Sequence, residues 1–417
     1  MNEYTEKVIL VGVATDTEEN CIKSLNELEE LAKTAGAETV FKVIQNRDSF
    51  HPGTYIGKGK IEELRDYIYM YDATGIICDD ELSPAQMKNL EDELDTKVMD
   101  RTMVILDIFA ARASTAEGKI QVELAQLKYQ MTRLLGKGSA LSRLGGGIGT
   151  RGPGETKLET DRRRIRDRVG QLNRELKEVV RHREVTRKER QKNGLPVFAI
   201  VGYTNAGKST LLNNLTDAKV LSEDKLFATL DPTTRSYSLE TGEKVLLTDT
   251  VGFINKLPHH LVDAFKSTLE EAKYADYIIH VVDSSNPNFE DQMATVYATL
   301  DDLEVHDKCV ITLFNKCDIS GEIKTVDERA QYIQKISAVR GDGIEEFRKL
   351  LSDILRESKL YIEHIFDYSQ AGLIQLIRSG GSLIEENYVA EGIEVKAYAT
   401  KEIAGKLGLT KQDKGEV

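Results

Sequence analysis

The stretch Gly202–Thr210, GYTNAGKST, constrains this 417-residue chain more than any other. It fits G-x-x-x-x-G-K-[ST], with Gly202, Gly207, Lys208 and Ser209 in the fixed places. The apolar run Val197–Val201 before it predicts a buried strand, and Thr210–Leu215 after it predicts the start of a helix. A strand, a glycine loop and a helix N-terminus in that order gather backbone N–H groups around an anion. The helix dipole favours negative charge there, and Lys208 adds a full positive charge. Tyr203, Thr204, Asn205, Ala206 and Thr210 complete the wall of such a phosphate site, and the Ser209 hydroxyl is placed for Mg²⁺.

Two downstream patterns extend the site. The strand Lys244–Leu247 runs into Asp249, Thr250, Val251 and Gly252, a D-x-x-G about 40 residues past the phosphate loop. A carboxylate there holds Mg²⁺ through water, and the glycine N–H reaches a γ-phosphate. The strand Val310–Phe314 ends in Asn315, Lys316, Cys317 and Asp318, an N-K-x-D. The Asp318 carboxylate accepts from the N1–H and 2-amino group of guanine, a donor pair adenine lacks, so GTP rather than ATP is the expected substrate. Ser337, Ala338 and Val339 form the short loop expected behind the base. A mobile segment must also bring a Thr to Mg²⁺ and the γ-phosphate. Phe227, Ala228, Thr229, Leu230 and Asp231 lie at the right distance; spacing favours Thr229, with Thr233 and Thr234 as alternatives. Lys208, Thr229 and Gly252 are therefore the catalytic candidates. The position after D-x-x-G, where a Gln commonly orients the attacking water, is Phe253. Slow intrinsic hydrolysis, accelerated by a partner, follows. The helix expected over Leu261–Ala272 either relays the γ-phosphate state or simply packs in the core.

The rest of the chain divides around this centre. Residues 1–113 alternate strand and helix patterns, which predicts an open parallel sheet with covering helices. Within them Gly57-Lys58-Gly59-Lys60 is either a polar turn or a nucleotide or RNA contact. Residues 114–195 predict a helical hairpin whose arms, about 114–135 and 155–192, flank a loop over Gly136–Gly154. Residues 196–357 carry the nucleotide motifs on further α/β alternation, and 358–417 predict a small α+β tail with no recognisable chemistry. The expected fold class is thus α/β, with an N-terminal parallel-sheet domain, a hairpin bearing a Gly/Arg-rich loop, a phosphate-loop nucleotide domain and a small C-terminal domain.

Charge separates the hairpin from the rest. The whole chain carries −13, yet residues 133–195 hold 18 Lys and Arg against 8 Asp and Glu. An acidic body with one basic segment points to nucleic acid at that segment. Lys137, Arg143, Arg151, Lys157, Arg162, Arg163 and Arg164 are the candidate RNA contacts; a solvated loop is the plainer reading. Cys21, Cys78, Cys309 and Cys317 are scattered and form no C-x-x-C, so neither a zinc site nor a disulfide framework is indicated. No apolar run approaches the roughly 20 residues that span a bilayer.

Taken together, GYTNAGKST, Phe227–Arg235 (FATLDPTTR), Asp249–Glu271 (DTVGFINKLPHHLVDAFKSTLEE) and the glycine-arginine stretch Gly145–Arg163 resemble the HflX family of translation-factor-related GTPases over nearly the whole chain. The resemblance implies a cytoplasmic, monomeric GTPase, in part peripheral to the membrane, that uses Mg²⁺. It implies binding to the ribosome's large subunit, with the hairpin reaching ribosomal RNA near the peptidyl-transferase centre. It also implies splitting of stalled or stress-damaged ribosomes into subunits, and use of ATP through the first domain in some members. Two other readings compete with it: a tRNA-modifying GTPase, which the lack of any Cys after Ser358 disfavours, and a nucleotide-sensing regulatory module.

Overall fold

The structure, a computed structural model, describes residues 5–141, 153–192, 195–216, 226–227, 230, 232–239, 241–256, 258, 270–321, 325–357, 359–399 and 401–408. Three sheets organise them.

The first sheet has the order β2-β1-β3-β4, all parallel, from β1 (Lys7–Ala14), β2 (Glu38–Asn46), β3 (Gly75–Cys78) and β4 (Lys97–Asp100). Four helices cover it: α1 (Glu18–Thr34), α2 (Lys58–Tyr71), α3 (Pro84–Leu94) and α4 (Arg101–Arg112). Both faces of β1 are covered, so its residues are apolar without a break. Val8 and Leu10 join one core, and Ile9, Val11 and Val13 the other. Local chemistry sets the helix starts. Thr17 caps α1, Ser83 and Gln86 form a capping box ahead of Pro84, and Asp100 caps α4 through the Met103 amide. Lys58, Gly59 and Lys60 form the first turn of α2 rather than a free turn, with Gly57 at the N-cap and Lys60 paired to Glu63 at 2.6 Å.

The hairpin consists of α5 (Ala116–Leu141) and α6 (Pro153–Lys192). Their 26 and 40 residues give lengths of about 39 and 60 Å. Arg168 pairs with Glu123 at 2.7 Å, Arg162 donates to the Leu134 carbonyl at 3.0 Å and Arg183 pairs with Glu117, which fixes an antiparallel register. The expected loop over Gly136–Gly154 is corrected at both ends. The first helix continues through Gly136 and Gly138 to Leu141, because adding a residue to an existing helix costs only about 1 kcal/mol at glycine. The second begins at Pro153, whose fixed φ suits a first helical position.

The second sheet, β10-β9-β8-β5-β7-β6, contains β5 (Val197–Gly202), β6 (Thr233–Ser238), β7 (Lys244–Asp249), β8 (Tyr277–Asp283), β9 (Cys309–Asn315) and β10 (Tyr332–Lys335). Only the β6–β7 pair is antiparallel. Helices α7 (Lys208–Thr216), α8 (Phe289–Asp302) and α9 (Ile344–Glu357) flank it. The strand order reverses beside β5, so the loop after β5 opens at a switch point, where α/β sheets bind ligands. The last sheet, β11-β13-β12, joins β11 (Leu360–Phe366), β12 (Ser382–Val389) and β13 (Gly392–Ala399) in antiparallel pairs. It packs on α10 (Ala371–Gly380) and α11 (Lys401–Lys406).

The first and second sheets share one apolar core. Phe109 of α4 meets Phe227 edge-on at 4.6 Å, and Val251, Phe253 and Ile254 lie in the same cluster as α1 and α4 side chains. No helix among the described residues is long and apolar enough to cross a membrane.

Candidate nucleotide site

The phosphate loop turns from β5 into α7 as the sequence predicts. Gly202 passes so close to β8 that a Cβ there would lie 2.2 Å from the Val281 carbonyl oxygen. Gly207, at φ +97°, leaves no room beneath the Asn315 amide, whose nitrogen would be 2.2 Å from a Cβ. Only glycine fits either place. Lys208 is buried and its ammonium donates to the carbonyls of Tyr203 at 2.7 Å and Gly202 at 3.1 Å. Burial pushes that ammonium down to about 8, although Asp249 nearby opposes the shift. Thr204 Oγ1 is buried without a hydrogen-bond partner at the edge of the loop.

Ser209 and Asp249 meet at the ends of α7 and β7, with the hydroxyl donating to the carboxylate at 2.7 Å. Two hard oxygen donors in contact beside a phosphate cradle suit Mg²⁺. Among the described residues no cluster of three or more His, Cys, Asp or Glu could hold a metal, so a magnesium beside Ser209 and Asp249 would need further oxygens, from phosphate, water or a residue such as Thr229. Thr250 turns away and donates to the Ile200 carbonyl at 2.8 Å. Phe253 donates from its amide to Gly202, and its carbonyl accepts from Thr204, so the chain after Gly252 lies along the phosphate loop.

The base-side residues assemble across two more strands. The Asn315 side chain donates to the Ala206 carbonyl at 2.8 Å and accepts from the Ala338 amide at 2.9 Å, which ties the phosphate loop to the Ser337–Val339 loop. Lys316 pairs with Asp283 at 2.7 Å. Asp318 faces Arg340 at 3.4 Å, and its carboxyl is held below its usual range, first by the Ser337 hydroxyl. Ser337 and Ala338 are buried and Val339 is exposed.

The segment expected to carry the Mg²⁺-binding Thr is only partly described. Ala228, Thr229 and Asp231 lie outside the described residues, as does most of the helix expected over Leu261–Ala272. Phe227 and Leu230 are buried in the shared core. The alternatives to Thr229 sit on β6, with Thr233 opposite Asp249 and Thr234 sharing a 3.0 Å hydrogen bond with Thr248. Of the basic residues, Arg163 and Arg164 are exposed on α6, while Arg162 is spent on the Leu134 carbonyl. Lys137 and Lys157 fall within α5 and α6 with side chains outside the description, and Arg143 and Arg151 lie outside the described residues.

Sequence reasoning missed what surrounds the loop on the side of the first sheet. Arg101, Glu27, Asp79, Tyr203 and Asn255 converge there, and Glu27, Tyr203 and Asn255 line a cleft of about 660 Å³. The one available signal was Asp79-Asp80 at a strand's end, the usual place for site residues in such sheets.

Residues 22–110, 112–190 and 197–316 match family models described as GTP-binding GTPase N-terminal, GTP-binding GTPase Middle Region and 50S ribosome-binding GTPase. A GTPase HflX of Lacrimispora saccharolytica is 63% identical over 408 residues, which cover 98% of this chain and 96% of that protein. A GTPase HflX of Caldanaerobacter subterraneus subsp. tengcongensis is 48% identical over 402 residues, 96% of this chain and 93% of that one. A GTPase HflX of Escherichia coli is 41% identical over 354 residues, 84% of this chain and 83% of that one. With the phosphate loop, D-x-x-G and N-K-x-D gathered at one sheet edge, the chain belongs to the HflX family of GTPases and hydrolyses GTP.

Proposed function

We propose that this GTPase acts on the ribosome: it binds the large subunit through the basic end of the hairpin and separates stalled or stress-arrested ribosomes into subunits. Hydrolysis then releases it. The observation that carries this reading is a hairpin with exposed Arg163, Arg164 and Arg166, anchored to the nucleotide half of the molecule. The anchor is Arg183, which pairs with Glu117 of α5 and lies 3.9 Å from Glu271, beyond the D-x-x-G segment. In this reading a change at the γ-phosphate reaches the root of the hairpin through the segment between Gly252 and Glu271.

In this reading Lys208 and the amides of residues 203–210 hold the phosphates, and Gly252 donates its N–H to the γ-phosphate. Asp318 reads guanine while Ser337, Ala338 and Val339 back the base. Ser209 holds Mg²⁺ directly, Asp249 through water, and Thr229 completes the set. The magnesium supplies charge neutralisation at the phosphate oxygens. Phe253 offers no group to orient water, which fits activation by a partner. The protein works as a monomer in the cytoplasm, with a fraction peripheral to the membrane. Light scattering of intact ribosomes mixed with the protein and GTP, or a non-hydrolysable analogue, tests the splitting step. A fall in scattering with either nucleotide is expected; unchanged scattering with both refutes it.

A further inference from the structure

Arg101, at the start of α4 and 1% exposed, is the largest fully buried side chain among the described residues. A guanidinium in that setting is tolerated only if its donors are met. It donates to Asp79 at 3.0 and 3.3 Å, to Glu27 at 2.8 Å and to the Ser24 carbonyl at 3.0 Å. It also donates to the Ser24 hydroxyl at 3.2 Å, and a further contact crosses to the nucleotide half, where it donates to the Asn255 carbonyl at 3.2 Å. Asn255 stands three residues beyond Gly252. Its amide donates to the Tyr203 hydroxyl at 2.7 Å, and that hydroxyl donates to Glu27. The next residue, Lys256, donates to Asp79 and, at 2.8 Å, to Asp80.

The first-sheet domain thus grips both the phosphate loop, at Tyr203, and the segment after D-x-x-G, at Asn255 and Lys256. Held this way, the segment lies against the loop. A Cβ at Gly252 would be 2.9 Å from the Thr204 Cα and 3.1 Å from the Lys208 ammonium. The Phe253 carbonyl takes the Thr204 amide at 2.8 Å, and Lys208 is turned onto loop carbonyls. The close approach of Gly252 to Lys208 crowds the place a terminal phosphoryl group would take, whereas a diphosphate makes no demand on the space beside Gly252.

We propose that Arg101, Glu27, Asp79 and Asp80 form an interdomain latch that holds the D-x-x-G segment closed on the phosphate loop and biases the site toward GDP. GTP binds only by prising Asn255 and Lys256 from the first-sheet domain. The two domains are therefore coupled reciprocally: triphosphate loosens the latch, and a loosened latch favours triphosphate. The inference requires GTP binding but not the ribosome reading. Calorimetry showing no nucleotide bound would refute both GTP binding and the latch, whereas unchanged scattering of ribosomes would refute the ribosome reading alone and leave the latch standing.

Arg101→Met would take two hydrogen bonds from the buried Asp79 carboxylate, leaving it only Ser24 and Lys256, and risks unfolding, so Lys256→Met and Glu27→Gln are the better probes. Dissociation constants for fluorescent GDP and a fluorescent non-hydrolysable GTP analogue are measured by stopped flow. Removing two charge-assisted hydrogen bonds with Lys256→Met is expected to strengthen analogue binding roughly tenfold, with GDP affinity within about twofold of the parent chain. Equal shifts for both nucleotides, or none in a variant that melts like the parent, overturn the proposal. Hydrogen exchange on the unaltered chain provides an independent reading. The analogue should speed exchange at the Asn255 amide relative to GDP, and equal exchange overturns the latch.

Discussion

Asn315→Ala would separate the two loops that enclose the nucleotide. The Asn315 side chain is 3% exposed and makes one bond to each loop, to the Ala206 carbonyl at 2.8 Å and from the Ala338 amide at 2.9 Å. Alanine can replace neither bond. Each buried partner left unpaired costs about 1–3 kcal/mol. Partial entry of water into the vacated space lowers the total to about 2–4 kcal/mol. If the loops stay ordered without nucleotide, the loss falls on the fold. If nucleotide orders them, it falls on binding, as a weakening of about 30- to 1000-fold. Fluorescent-GDP titration and urea unfolding of the same preparation separate the two, and their free-energy changes should together reach 2–4 kcal/mol, about the sum of two unmet bonds. Both quantities within about 0.5 kcal/mol of the parent chain would refute the idea that this amide ties phosphate loop to base loop.

Further expectations follow from other groups. Burial lowers the Lys208 ammonium to about 8, so between that pH and its ordinary 10.5 the folded, nucleotide-free chain holds fewer protons than the unfolded one, and this group makes stability rise with pH there. Bound phosphate restores the charge, so binding at pH 9 should take up a proton; calorimetry in two buffers of different ionisation enthalpy reads it, and zero uptake counts against the buried-lysine account. Burial alone would raise Asp327, but His280 and the Thr312 and Tyr297 hydroxyls, the latter two at 2.6 Å, hold it well below the usual carboxylate range. Its stabilisation is present above the unfolded pKa and lost as pH falls through the folded value. Asp327→Ala should cost about 2–4 kcal/mol in urea unfolding at pH 7, because two buried hydroxyls lose their acceptor. Reversing the two exposed arginines, Arg163→Glu with Arg164→Glu, should weaken ribosome binding and flatten its salt dependence by about one to two units of log–log slope. An unchanged slope would place the RNA contact elsewhere.

Much of the site was legible because its chemistry is written in short spacings. Gly202, Gly207, Lys208 and Ser209 are near neighbours, and a glycine loop between strand and helix permits few conformations. D-x-x-G and N-K-x-D likewise sit at the ends of apolar strands, where β7 and β9 place them. The latch was not legible for the opposite reason. Arg101 finds its partners 22, 74 and 154 residues away, and a charged residue opening a helix reads as surface when nothing local reports burial. The hairpin tip erred differently. Glycine density marks a break in helix propensity, yet a long helix already nucleated by Ala116–Leu135 carries through isolated glycines to Leu141. Phe227 shows the same limit: its position suggested a nucleotide neighbour, and its packing on Phe109 is a tertiary fact that no window of sequence contains.

The most direct test of a partner-driven switch is steady-state GTP turnover with and without purified large ribosomal subunits at physiological salt. The expected result is slow turnover alone, at least about tenfold faster turnover with large subunits, and loss of that acceleration when Arg163 and Arg164 are reversed in charge. Equal rates with and without subunits would contradict it.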